Sequence, residues 1–202
     1  MDKVETMRKI LVASHNANKI KEFRSIFKGY PVELVSLADL GDKAEVIEKG
    51  MSFKDNARLK ALYFARKHDM ITVADDSGIV VEALDGQPGI YSARYSGKGD
   101  MQNNQKILRE MEGRDNRKAH FFAAIALCFP DGTCHDYTGR VDGLIAKEEK
   151  GEKGFGYDPI FYSETYQMTF AELDSKIKNK ISHRAIALAR LKEELDDILD
   201  HQ

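Results

Sequence analysis

The chain has 202 residues, 42% of them hydrophobic and 32% charged, enough for one large domain or two small lobes whose core needs no staples. A formal net charge of −2 excludes a global field that would draw the protein to nucleic acid or to a membrane, so any phosphate binding must come from local clusters. No apolar run approaches a bilayer span, and the N-terminal MDKVETMRKI lacks a signal-like apolar segment.

Residues 1–8 read as a short N-terminal extension, with Met7 an alternative initiator to Met1. Residues 9–13, KILVA, suit a buried strand. Asn16 can cap a helix carrying Ile20, Phe23 and Phe27 at helical spacing. A weak strand at 32–35 and a polar loop to Gly50 follow, and Ser52 with Asp55 then opens a second helix running to about Lys67. The β-branched ITVA at 71–74 predicts a strand that delivers Asp75 and Asp76 at its C-terminal end.

Residues 119–129, the turn Pro130-Asp131-Gly132, and residues 133–146 predict a hairpin. Its two arms carry Cys128 and Cys134, which make neither a disulfide framework nor a zinc pattern and are expected to be packed thiols in a reducing cytoplasm. Past a Gly-rich patch at 150–159, Ser182 opens a last helix expected to bury Ile186, Ala189, Leu191, Leu195 and Leu199. Strand–helix alternation followed by a hairpin predicts a mixed sheet covered by helices, α/β first and α+β second, in a single domain spanning 1–202.

Four features ask for more than packing. SHNANK (14–19) joins the first strand to its helix, where ligands bind in open α/β sheets and where helix N–H groups and Lys19 suit an anion. A plain N-cap with a solvated lysine is the alternative. Asp75 and Asp76 are adjacent, so a strand sends them to opposite faces. One can brace the turn while the other holds Mg²⁺ or accepts a proton from water, and Glu48 can add a second oxygen. Asn56 and Lys60 share one helix face, suited to phosphate or simply to solvent. GFGYDP (154–159) offers Phe155 and Tyr157 for stacking on a base, and KNKISHR (178–184) gathers Lys178, His183 and Arg184. Together they describe a ligand with an anionic tail and a planar head, a nucleoside triphosphate with Mg²⁺.

The motifs ASHNANK (13–19), EKGMSFKDNARLKA (48–61), ADDSG (74–78), GQPGIYSARYSG (86–97), GFGYDPIF (154–161) and ISHRAIAL (181–188), in this order, resemble the inosine triphosphate pyrophosphatase family and its bacterial dITP/XTP pyrophosphatase branch. The resemblance runs from about Lys9 to Leu195. It implies Mg²⁺-dependent hydrolysis of the α–β phosphoanhydride of XTP, ITP and dITP to monophosphate and pyrophosphate, which cleanses the nucleotide pool of the cytoplasm. It also implies a long mixed β-sheet flanked by helices, two lobes with the active-site cleft between them, and a homodimer.

By position, the resemblance assigns Ser14, His15, Asn16, Ala17, Asn18 and Lys19 to the triphosphate, with His15 in a variable slot and Asn18 where a small residue is usual. Lys60 contacts the phosphates in the catalytic set, Glu48 and Asp76 serve the metal, and Asp76 is also the proton acceptor. Ser77 touches substrate, while Phe155, Gly156, Tyr157, Asp158, Lys178, His183 and Arg184 line the base and ribose pocket. The loop from Gly86 to Gly97 is left as cleft wall or dimer contact. A Maf-type pyrophosphatase of modified pyrimidine nucleotides would need a different N-terminal signature, and a non-catalytic nucleotide-binding module gains little from paired acids. The even charge balance argues against a nucleic-acid partner.

Overall fold

The computed structural model describes residues 7–200. Of the expected N-terminal extension, residues 1–6, with Met1, lie outside the described residues, and Arg8 already belongs to the first strand.

Seven strands form one mixed sheet in the order β2-β1-β3-β4-β5-β6-β7. They are β1 (Arg8–Val12), β2 (Val32–Ser36), β3 (Thr72–Val81), β4 (Lys118–Cys128), β5 (Cys134–Ile145), β6 (Phe161–Ser163) and β7 (Met168–Thr169). Strand β1 runs parallel to β2 and β3, whereas β5, β6 and β7 pair antiparallel. The helices are α1 (Ala17–Ile26), α2 (Phe53–His68), α3 (Asp100–Glu110), α4 (Ser175–Ile181) and α5 (His183–Asp200). The parallel pairs sit where the sequence alternates strand and helix, because a parallel return needs a crossover, and the antiparallel pairs follow the hairpin.

The chain divides into two compact units. The first takes residues up to Asp76 together with Ala124–Tyr137, the second Ser77–Ala123 together with residues from Thr138 onward. In the first unit, Ile10, Leu11 and Val12 of β1, Phe23 of α1 and Phe64 of α2 are buried. Ala57, Ala61 and Ala65 recur every four residues on α2 and are fully buried, a row of small side chains that permits close packing. The second unit closes on Ile79, Val81, Ile107, Phe121, Ile160, Phe161 and Phe170.

Both expected caps form. Oδ1 of Asn16 accepts from the N–H groups of Asn18 and Lys19, and Oγ of Ser52 accepts from that of Asp55. Three expectations are corrected. First, β3 does not end at Ala74 but continues to Val81, so Asp75 and Asp76 lie mid-strand. The run Ile79-Val80-Val81 resumes the β-branched pattern beyond the acids, and both acids are buried. Second, Cys128 and Cys134 are not packed thiols: they form a disulfide, with Cα atoms 4.2 Å apart. The N–H of Phe129 donates to the carbonyl of Thr133, so the next pair outward is a non-hydrogen-bonded one, where facing Cα atoms approach most closely. The cysteine argument for a reducing compartment falls with it. Third, on α5 Ala189 is exposed and Ile186 only half-buried, whereas Leu188, Leu191, Leu195, Ile198 and Leu199 are buried. The inward stripe follows the leucines.

Candidate active site

In the first unit, four charged side chains gather around the middle of β3. Nζ of Lys19, one turn into α1, lies 2.6 Å from Oδ1 of Asp75. Nζ of Lys60, on α2, lies 2.9 Å from Oε1 of Glu48 and also donates to the Asp75 carbonyl oxygen at 2.7 Å. Lys19, Lys60 and Glu48 keep only 16–21% of their side-chain surface, and Asp75 keeps 1%. Asn56, on the same helix face as Lys60, is fully buried and ties down the 50s loop by accepting the Gly50 N–H at 2.7 Å. Asn56 and Lys60 are therefore no solvated surface.

Asp76 differs from its neighbour. It is buried, and its Oδ2 has no hydrogen-bond partner among the described residues. Burial pushes its carboxyl up to about 7, against the pull of Lys60 and Lys19 and with the repulsion of Glu48 and Asp75. A buried acid near neutral pKa, flanked by two ammonium groups, is suited to proton transfer.

SHNANK sits as expected between β1 and α1, but its backbone donors are partly spent. Asn16 takes the N–H groups of Asn18 and Lys19, Oγ of Ser14 takes that of Asn16, and Nε2 of His15 lies 2.7 Å from the Ala44 carbonyl oxygen. For an anion here, Lys19 contributes more than a bare helix N-terminus.

In the second unit, four of the predicted base-pocket residues, Phe155, Asp158, Lys178 and Arg184, lie against one another, whereas Tyr157 packs in the core. The carboxylate of Asp158 holds Nζ of Lys178 at 2.6 Å through Oδ2, and both side chains are at least 94% buried. The same oxygen accepts the Phe155 N–H at 3.0 Å. The Phe155 ring lies 4.5 Å from Nζ of Lys178 and 5.7 Å from the Arg184 guanidinium. Nη2 of Arg184 donates to Oγ of Ser77 at 2.9 Å, and the His183 ring stacks on Phe121 at 4.7 Å. Gly139 on β5 lets the start of α5 approach: a Cβ there would stand 1.9 Å from the His183 carbonyl oxygen.

The Gly86–Gly97 loop acts as a brace within this unit. Oγ of Ser92 accepts the Ile79 N–H, and its carbonyl accepts from the buried hydroxyl of Tyr157 at 2.6 Å. Sequence reading missed α3 altogether. Its Asn103, Asn104 and Ile107 are buried, and Ile107 with Met111 at four-residue spacing was the available signal.

Among the described residues no group of three or more His, Cys, Asp or Glu side chains stands where it could hold a metal ion. Mg²⁺ asks for less, since one or two carboxylates plus substrate phosphates suffice. The partnerless Oδ2 of Asp76, with Glu48 in the same cluster, fits that donor set. A cavity of about 940 Å³ lies elsewhere in the first unit, lined by Arg58, Leu59, Tyr63 and Arg66, and contains none of the predicted site residues.

A model described as the Ham1 family matches residues 10–194. A dITP/XTP pyrophosphatase of Desulfotalea psychrophila is 46% identical over 192 residues, 94% of this chain and 86% of its own length. The solved structure of a Ham1 protein from Coxiella burnetii shares 36% identity at a TM-score of 0.86, covering 95% of this chain and all of that one. The Staphylococcus aureus Ham1 protein shares 39% at a TM-score of 0.84, over 94% and 99%.

Proposed function

The chain belongs to the Ham1 family, and from that premise we propose that it hydrolyses the non-standard purine nucleotides XTP, ITP and dITP to the monophosphate and pyrophosphate. The observation that carries the mechanism is Asp76, buried beside two lysine-held carboxylates with one oxygen left for a new partner. Water attacks the α-phosphorus, the bond from that phosphorus to the α–β bridging oxygen breaks, and pyrophosphate leaves. Asp76 accepts the proton of the attacking water. Lys19 and Lys60 exchange part of their pairing with Asp75 and Glu48 for phosphate oxygens, while Asp75 holds the strand in place. Glu48 and Asp76 would hold Mg²⁺, which would supply neutralisation of the phosphate charge.

Phe155 stacks on the base. Arg184 and His183 donate to its 6-carbonyl, where adenine carries an amine, and a site left with unpaired polar groups rejects such an analogue by up to about 10⁴-fold. The family resemblance supports a homodimer and a cytoplasmic place for a pool-cleansing enzyme. No described helix is long and apolar enough to cross a membrane.

With ITP or XTP and Mg²⁺, the purified protein is expected to release pyrophosphate. Orthophosphate as primary product, with the diphosphate left over, would overturn this chemistry. Phe155→Ala is expected to raise KM for ITP by about 5- to 150-fold, the stacking value of about 1–3 kcal/mol per base. Unchanged KM with an earlier melting transition would instead make Phe155 a packing residue.

A further inference from the structure

The loop that presents Phe155 is held from outside by a helix with no assigned role. The N–H of Gly156 donates to Oδ2 of Asp100 at 3.0 Å, and the Gly156 carbonyl accepts from Nδ2 of Asn104 at 3.0 Å. Asp100 and Asn104 are four residues apart, so they stand one turn apart on the same face of α3. The peptide group on each side of the Phe155 side chain is therefore fixed: the Phe155 N–H by Asp158, the Gly156 N–H by Asp100.

The restraint matters because the loop has little stiffness of its own. Gly154 and Gly156 take φ of +71° and +60°, and glycine brings the widest backbone freedom to a segment that must hold an aromatic ring in one pose. The helix that supplies the restraint is itself well seated. Ile107 and Met111 are fully buried, and Asn103 accepts the Ser96 N–H at 2.7 Å while donating to the Ser92 carbonyl. An acid in the first turn of a helix ordinarily serves that helix's own N-terminus. Asp100 instead reaches a backbone group 56 residues further along the chain.

We propose that Asp100 and Asn104 are positioning residues for the nucleobase: by clamping the Gly156 peptide they set the pose of Phe155, so substrate affinity and base selectivity depend on α3. This inference rests on the reading that Phe155 contacts the base. It goes beyond that reading in assigning the control of its pose to side chains that never touch the substrate.

The test compares Asp100→Ala, Asp100→Asn and Asn104→Ala. Each alanine variant is expected to raise KM for ITP about tenfold, the loss of one charge-assisted or buried hydrogen bond, with kcat changed less than about threefold. Asp100→Asn retains an acceptor oxygen and is expected to restore most of the affinity. In the substrate-free protein, hydrogen exchange at the Phe155 and Gly156 amides is expected to quicken in Asp100→Ala and to stay near wild type in Asp100→Asn. Asp100 is exposed, so its variants fold even if the buried Asn104 variant does not. Unchanged KM in a folded Asp100→Ala, or an Asp100→Asn as impaired as the alanine variant, overturns the proposal. A wild-type protein inert toward ITP strikes the functional reading instead, and the exchange comparison then decides the clamp by itself.

Discussion

Asp76→Asn is expected to lower kcat for ITP by at least about 10²-fold, the low end of a general-base contribution, while the protein folds normally. The amide keeps the size of the side chain but can neither accept the water proton nor offer charge to a cation. Near wild-type turnover under saturating Mg²⁺ would remove Asp76 from the catalytic role, and a dead but well-folded Asp75→Asn would transfer that role to its neighbour. The same substitution has a second signature in stability. The folded-state value of about 7 lies above the ordinary 3.8, so between those values the folded protein holds a proton that the unfolded chain has released. That stabilisation is fully present below about pH 4 and is lost as pH rises through about 7. At 1.36 kcal/mol per pK unit the gap is worth about 4 kcal/mol. Metal-free wild type is thus expected to lose stability from pH 4 to 7 relative to Asp76→Asn, by up to that amount, in urea unfolding. Parallel stability curves for the two proteins would show that Asp76 is not a strained acid.

Asp158→Ala is expected to destabilise the protein by about 3–5 kcal/mol, because it leaves the Lys178 ammonium buried without its carboxylate. Asp158 also holds the Phe155 N–H, so the variant that remains folded is expected to bind ITP more weakly than the stability loss alone explains. Lys178→Met separates the two effects: it removes the ammonium but leaves the Asp158 carboxylate on the loop N–H. Melting curves read beside KM for both variants check this, and a loss under about 1 kcal/mol for each would mean that the pair is solvated in solution.

Much of the local structure was legible because its causes are local. Asn16 and Ser52 cap α1 and α2 through their own side chains and backbone amides two or three residues on. Pro130-Asp131-Gly132 turns a hairpin between the apolar end of β4 and the start of β5. The site motifs were legible as residue types, since few packing arguments call for two adjacent acids in an apolar strand or a Gly-flanked aromatic beside a basic helix start. What each acid does was not legible. Asp75 and Asp76 are the same residue in the same strand, yet Lys19, 56 positions away in sequence, reaches the carboxylate of Asp75, while burial lifts that of Asp76.

By itself, then, the sequence determined where α1 and α2 start, which residue types can meet a triphosphate and a base, and in what order they come. Periodicity, capping and turn chemistry act within a few residues, and so they can be read from a string. Tertiary structure alone decided that β3 runs on past its acids, that Cys128 and Cys134 face each other across a register, and that burial lifts the Asp76 carboxyl to about 7. It also decided that α3 reaches back to hold Gly156, and that Arg184 finds Ser77 across 107 positions. Desolvation, pairing and loop restraint depend on groups brought close by folding, and their strength is set by distances that no local pattern encodes.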